Sequence, residues 1–232
     1  MVSVHRLQDP SDAQIEELTQ LLLIAHDGLI VPRMMSDSRK DIEEKWHRSG
    51  VRIGALEGRI WVVYDPSYTP GPNAVGAPIV AVVVAFGPGA MPMASEAQRA
   101  LGRDYIDSLS AEGKKWQNET FYPLMEKLVE ESGGEEKNFE QVVDSWLTIL
   151  LATDPVHQRK GYASALLREV KQAAVEDGSI VTLFTFSDEL EAYYLSQGFT
   201  VEGKIDIPSP LGNWVHREMM WVNAGGAQQE PL

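Results

Sequence analysis

Two periodicities alternate along the chain. Short runs of β-branched and apolar residues bounded by Gly, Pro and Asp read as strands, and stretches with apolar residues every three or four positions read as helices. Val2 to Leu7 alternates as a short strand, and Ser11-Asp12 then caps an amphipathic helix reaching His26, with Ile15, Leu18, Leu21, Leu22 and Ala25 on one stripe. A more charged helix is predicted from Asp37 to His47. Ile60 to Tyr64 (IWVVY) and Ile79 to Phe86 (IVAVVVAF) read as an antiparallel hairpin, joined by a long loop with Pro66, Pro70 and Pro72.

The second half repeats the alternation more tightly. Trp146 to Ala152 is a buried strand by composition, too short for a helix. A polar turn from Thr153 to Lys160 leads into a helix with Ala165, Leu166, Leu167, Val170, Ala173, Ala174 and Val175. Ile180 to Phe186 is another strand, and Ser187-Asp188-Glu189 starts a short helix that stops at Gly198. Phe199 to Ile207 and Trp214 to Val222 close the pattern as two strands around a Pro208 to Asn213 turn.

Between these halves lies segment 87–143, which reads as helix in pieces: Ser95 to Leu109, then Thr120 to Glu131, separated by Gly113-Lys114-Lys115-Trp116 and ended by Gly133-Gly134. Glu130, Glu131, Glu135, Glu136 and Glu140 make its end acidic, a pattern that suits a solvated surface. Its apolar content (Tyr105, Trp116, Phe121, Tyr122, Leu124, Met125) and its length suit a lid or an acceptor-pocket wall equally well.

The chemistry sits where the fourth strand meets the following helix. Main-chain N–H groups at a helix start lack intrahelical partners and carry the positive end of its dipole. Gly161 and Ala163 lack bulk, and Arg159 and Lys160 add two charges, so the turn suits a pyrophosphate. The run Gln158-Arg159-Lys160-Gly161-Tyr162-Ala163 fits Q/R-x-x-G-x-G/A and resembles the acyl-CoA-binding motif of the GNAT superfamily of N-acetyltransferases. A second block, Tyr194-Leu195-Ser196-Gln197-Gly198-Phe199, matches that superfamily's Tyr-x-x-x-Gly-Phe helix ending, while Ser187 stands where the family usually has Asn.

The resemblance implies an α/β fold with a mixed, mainly antiparallel central sheet flanked by helices, with the helical segment 87–143 inserted between the third and fourth strands of a single domain 1–223. It implies acetyl-CoA as co-substrate. Main-chain groups of Leu151, Ala152 and Thr153 would hold the pantetheine arm, Gln158, Arg159, Lys160, Gly161, Tyr162, Ala163 and Ser164 the pyrophosphate, with Ser187 beside the arm. Tyr194 would protonate the leaving thiolate. The family's general-base position on the fourth strand falls at Leu147, which carries no base; Asp144, Glu119 and Asp104 are nearby alternatives.

Composition narrows the partners. A formal charge of −14 disfavours nucleic acid and anionic membrane and suits a cationic or neutral small acceptor, although acidity for solubility alone is common; the resemblance makes that acceptor a small-molecule amine. The absence of cysteine removes disulfides and thiolate nucleophiles, and the five histidines show no metal-ligand spacing, so no metal is expected. With neither a signal-peptide pattern nor a membrane-length apolar run, a cytoplasmic monomer or homodimer is expected. Residues 224–232 read as a flexible tail, and the Asn118 sequon as chance. The rival readings are transfer to a protein N-terminus, lysine or hydroxyl, and an acyl-CoA-binding module without turnover.

Overall fold

The third strand, β3 (Ile79–Phe86), is buried along its whole length because helices cover the sheet on both faces. In the computed structural model, which describes residues 2–68, 77–132 and 139–223 (main chain only for Phe139 and Glu140), seven strands form one sheet. The expected tail 224–232, the Gly133-Gly134 break, the Glu135, Glu136 and Glu140 side chains, Pro70 and Pro72 lie outside the described residues. In chain order the other strands are β1 (His5–Leu7), β2 (Arg59–Tyr64), β4 (Trp146–Thr153), β5 (Val181–Thr185), β6 (Thr200–Ile207) and β7 (Trp214–Trp221). They lie side by side in the order β1-β2-β3-β4-β5-β7-β6, and all pairs are antiparallel except β4 with β5. The mixed, mainly antiparallel sheet read from the sequence is what the chain forms.

The helices fall in two layers. On one face α8 (Tyr162–Glu176) and α9 (Asp188–Ser196) bury Leu166, Val170, Ala174 and Tyr194 against the strand residues Ala81, Val83, Leu183 and Met219. On the opposite face α1 (Asp12–Ala25) and α3 (Lys40–Glu57) pack Leu18, Leu22 and Val51 onto Ile60, Val62, Val82, Val84 and Leu150.

Two helical readings need correction. The charged helix expected to stop at His47 continues as α3 to Glu57, and a further helix, α2 (Ile30–Met35), precedes it. Gly50 and Gly54, inside α3, are contact points against Leu150 and Val84. A Cβ on Gly54 would stand 2.2 Å from Val84 Cγ1, so only glycine lets α3 lie this close to β3. The insertion is also more continuous than its sequence suggests. After α4 (Glu96–Ser108), the supposed Gly113 to Trp116 break is itself helix α5 (Ala111–Trp116), which runs through a π-helical turn (Gln117–Phe121) into α6 (Tyr122–Glu131). A short helix, α7 (Phe139–Val143), then leads into β4.

This inserted layer is tied down by polar contacts. Tyr105 Oη donates to the Met35 carbonyl at 2.8 Å and accepts from Gln117 Nε2 at 2.9 Å, while Trp116 Nε1 donates to the Pro208 carbonyl at 2.9 Å. Val129 of α6 and Val142 of α7 cover Leu147 of β4, and Phe121 joins Met34, Met35, Ile207 and Trp214. The insertion thus completes the second layer over β4 to β6, on the same face as α1 and α3.

The Gly54 contact gives a direct test. Gly54→Ala is expected to destabilise the fold by about 1–3 kcal/mol through overpacking. In denaturant melts, Val84→Ala should relieve part of that loss, with a coupling of at least about 0.5 kcal/mol in the double-mutant cycle. Strictly additive losses would contradict the close-contact explanation.

Candidate functional site

Strands β4 and β5 pair only at their starts. Trp146, Leu147 and Thr148 face Val181, Thr182 and Leu183, and beyond Thr148 the register to β5 ends while β4 runs on to Thr153. On its other side β4 stays paired to β3, with a bulge: Thr148 faces Ala85 and Leu150 faces Val84, leaving Ile149 as the extra residue. From Leu151 to Thr153 β4 therefore presents an edge with no ladder to β5; the main-chain groups of Leu151 and Thr153 face it, whereas those of Ala152, expected to share in it, face Val82 of β3. An unpaired strand edge inside a sheet is a template for an extended ligand. Thr153 Oγ1 on β4 and Thr185 Oγ1 on β5 are buried without a hydrogen-bond partner.

The turn beyond β4 is braced from behind and open in front. Asp154 Oδ1 accepts from Val156 N at 2.9 Å, and its own N–H donates to the Val80 carbonyl at 2.9 Å. His157 sits between Asp65 and Asp154, at 3.6 and 3.8 Å. Arg159 (φ 64°) and Gly161 (φ 80°) both take the left-handed conformation, turning the chain sharply before α8 begins at Tyr162. Nothing lies within 4 Å of a Cβ built on Gly161, so the space before the helix N-terminus is free. Arg159, Lys160 and Gly161 are exposed, as is Gln158. Tyr162 is different: its side chain is buried in the core, leaving only its main-chain N–H for a ligand. Ala163 is half-buried, and Ser164 Oγ lies 3.3 Å from Tyr193 Oη. These residues fit a pyrophosphate, and the free β4 edge fits the amide-bearing arm of coenzyme A.

Helix α9 carries the second block. Ser187 Oγ accepts from Leu190 N at 3.2 Å, so the serine caps the helix. Asp188 and Glu191 in the first turn pair with buried Arg217 of β7, fixing α9 beside the end of β5. Its other end explains the Tyr-x-x-x-Gly-Phe spacing. Gly198 has φ 82°, Gly198 N donates to the Leu195 carbonyl at 2.9 Å, and Phe199 N donates to the Tyr194 carbonyl at 3.1 Å. That is a Schellman motif, completed by an edge contact between the Tyr194 and Phe199 rings at 5.7 Å. Tyr194 is 8% exposed, and burial, with a smaller contribution from Tyr193, pushes its phenol well above the ordinary value of 10.0. Tyr193 is raised by burial too, against a smaller opposing effect of its hydrogen bond with Ser164.

Leu147, at the family's base position, is buried beneath α6 and α7. Asp104 pairs with Lys45 at the surface, Glu119 is exposed beside Lys115, and Asp144 is exposed. What the sequence did not single out is a set of imidazoles held away from water. His26, at the C-terminal end of α1, is lowered to about 4 by burial, against a smaller opposing effect of the Leu151 main chain. His47 of α3 is lowered to about 2 by burial first, and His216 of β7 to about 4 for the same leading reason. Helical periodicity alone counts His47 as a polar position, so only its neighbours reveal it. A hollow of about 330 Å³ lies beside Ser187, between α9 and the β6–β7 hairpin, lined by Asp188, Asp206, Trp214 and Arg217. Among the described residues no group of three or more His, Cys, Asp or Glu side chains is placed to hold a metal, and no helix is long and apolar enough to cross a membrane.

The three histidines set an acid limit. The unfolded chain binds protons on them below the ordinary value of 6.5, whereas the folded chain resists until about 4 or lower. Stability is therefore full above about pH 6.5 and falls steadily as pH drops toward 4. Thermal melts across that window should show the fall; a midpoint that stays level would contradict the burial of neutral imidazoles.

Comparison with known proteins agrees with this geometry. Residues 125–201 match the family model described as an acetyltransferase (GNAT) domain. Comparison with curated proteins gives no match. Among solved structures, a protein described as histone acetyltransferase HPA2 and related acetyltransferase from Corynebacterium glutamicum superposes with a TM-score of 0.59 at 16% identity, covering 97% of this chain and 98% of that one. Arylalkylamine N-acetyltransferase 2 from Aedes aegypti gives 0.57 at 12% identity, covering 95% and 98%. Arabidopsis thaliana NAA60 in complex with acetyl-CoA gives 0.51 at 12% identity, again covering 95% and 98%. The fold is that of the GNAT acetyltransferases, and the segment 125–201, which holds the free β4 edge, the turn and α9, matches that family's domain.

Proposed function

We propose that this protein transfers an acetyl group from acetyl-CoA to a small-molecule amine, by direct attack with both substrates bound. The observation that carries the reading is the unpaired β4 edge running into an open, left-handed turn at the start of α8. Main-chain groups of Leu151 and Thr153, on either side of Ala152, would take the pantetheine arm as an added strand, and the N–H groups of Gln158 to Ser164 the pyrophosphate. Acetyl-CoA supplies the thioester carbon. The chain supplies orientation and a place for protons.

Tyr194 is the proposed proton donor to the departing thiolate. Its phenol is a weak acid in the buried site, but a thiolate forming in the same apolar surroundings is correspondingly more basic. The Schellman packing holds the ring, so Tyr194→Phe removes only the hydroxyl. For the acceptor, proteins of this fold carry names for both histone and arylalkylamine acetylation, and fold alone does not choose. The covering of the opposite sheet face by α2, α6 and α7 favours a small molecule, because a peptide would need an open groove there. We also infer that segment 87–143 forms the acceptor-pocket wall, and that the protein acts in the cytoplasm.

Calorimetric titration with coenzyme A tests the cradle, and free-thiol release over a panel of amines, peptides and alcohols tests the acceptor. Gly161→Glu is expected to lose binding, since a side chain there fills the open approach and its charge repels phosphate. Tyr194→Phe is expected to slow single-turnover acetylation by about 10²-fold or more with coenzyme A affinity kept. Tight binding by folded Gly161→Glu would contradict the cradle, and a wild-type rate in Tyr194→Phe would assign the ring to packing alone.

A further inference from the structure

On the face opposite α8 and α9, the covering of the sheet thins where β4 and β5 part. Before the fork, Leu147 of β4 and its register partner Thr182 of β5 are both buried. Past it, on the same face by strand alternation, Ile149 of β4 and Phe184 and Phe186 of β5 are only half-buried. Ile149 and Phe184 both pack on the cluster of Leu147, Val129 and Val142, one from each strand of the fork, and Phe186 packs on Phe121, Ile207 and Trp214. A single half-open apolar side chain is ordinary. Three large ones following the line where two strands separate form a continuous apolar rim, and such a rim gains by covering it with another apolar group.

The Phe184 side of the rim is fixed in place. His216 of β7 stacks on the Phe184 ring, with centroids 5.9 Å apart and planes 28° from parallel, and Phe121 of the π-helical turn meets His216 edge-on at 5.9 Å. Trp214 Nε1 donates to His216 Nδ1 at 3.3 Å, so the imidazole is bonded as well as stacked. Burial lowers this imidazole to about 4, which leaves it uncharged near neutral pH. The insertion thus reaches the fork through an aromatic chain, from Phe121 to His216 to Phe184. Glu218, the cross-strand neighbour of Phe184 on β7, is 1% exposed and stands one strand further from the gap. The rim itself is apolar.

We propose that the acceptor carries its amine on a flat apolar stem, an aryl or arylalkyl group, which lies between Ile149 and the Phe184 ring with Phe186 beyond it. This inference rests on the amine-acetylation reading above. An arm held along the free β4 edge with its pyrophosphate at α8 lies on the side that α8 and α9 close, so the amine reaches the thioester from the other face and its stem crosses the rim. A sugar amine or a diamine would strip water from its hydroxyls or its second ammonium against three side chains that offer no hydrogen bond. An aryl stem has no such loss there, and it gains ring-to-ring contact with Phe184, whose orientation His216 has already set. Ile149 is also the bulge residue that bends β4 at the fork, so one position helps open the edge and forms one side of the slot.

The ratio of rates on different amines is the measurement, because a residue that only packs would lower all of them together. With acetyl-CoA saturating, the wild-type protein is expected to favour phenethylamine over ethanolamine and putrescine by at least about 30-fold in kcat/KM, the gain from burying one phenyl ring. Phe184→Ala is expected to cut that preference by at least about fivefold, mainly through the KM for phenethylamine, and Phe184→Leu by less. Ile149→Ala should narrow the preference from the other side of the slot. Coenzyme A titration and a thermal melt of each variant check that the fold and the co-substrate site are kept; if Phe184→Ala does not fold, Phe184→Leu and Ile149→Ala carry the comparison. An unchanged preference in the folded variants would overturn the slot and leave acetyl transfer standing. So would a wild-type protein that acetylates ethanolamine or putrescine as readily as phenethylamine, or that acetylates only other amines of the panel. A wild-type protein that binds acetyl-CoA but acetylates no amine of the panel would overturn the amine-acceptor reading with it.

Discussion

Everything at this site depends on the parting of β4 from β5 after Thr148. Two parallel strands that stayed paired would satisfy each other's main-chain groups and leave nothing for a ligand. Here the bulge at Ile149 bends β4 while β3 keeps hold of it, and β5 ends at Thr185. The opened edge is held apart rather than left loose. α8 packs on one face through Leu166 and Val170, and α1 on the other through Leu22 against Leu150 and Ala152. A preformed edge loses less conformational freedom on binding than one ordered by its ligand.

The fold was legible where local chemistry and packing agree. The strand at Trp146 to Ala152, the helix from Gly161 and the hairpin at the C-terminus announce themselves by composition, and Ser95 marks the start of α4 as its N-cap. It was least legible where tertiary contact overrides propensity. The helix read as stopping at His47 runs on to Glu57 with Gly54 set against Val84, and Gly113 reads as a break although it lies within α5. In the insertion, apolar residues announce order but not what they pack on: Val129 of α6 meets Leu147 only once α6 folds back over β4.

The site shows the same division. The turn at Gln158 to Ser164 is local, so its residues can be read in sequence, and the spacing of Tyr194, Gly198 and Phe199 encodes a helix ending that the hydrogen bonds display directly. Tyr162 shows the limit of motif reading, since its side chain belongs to the core. The imidazole pair could not be read at all, because His26 and His47 lie at different helices and meet only when α1 and α3 pack side by side.

The most direct test of the account is amide hydrogen exchange with and without acetyl-CoA. Binding as an added strand should slow exchange of Leu151 and Thr153, whose N–H groups face the open edge, and of the turn from Gln158 to Ser164, with little change at Ala152, which faces β3, or in β1, β2 and β6. Protection confined to other elements, or none despite binding, would contradict the free β4 edge as the place where the co-substrate is held.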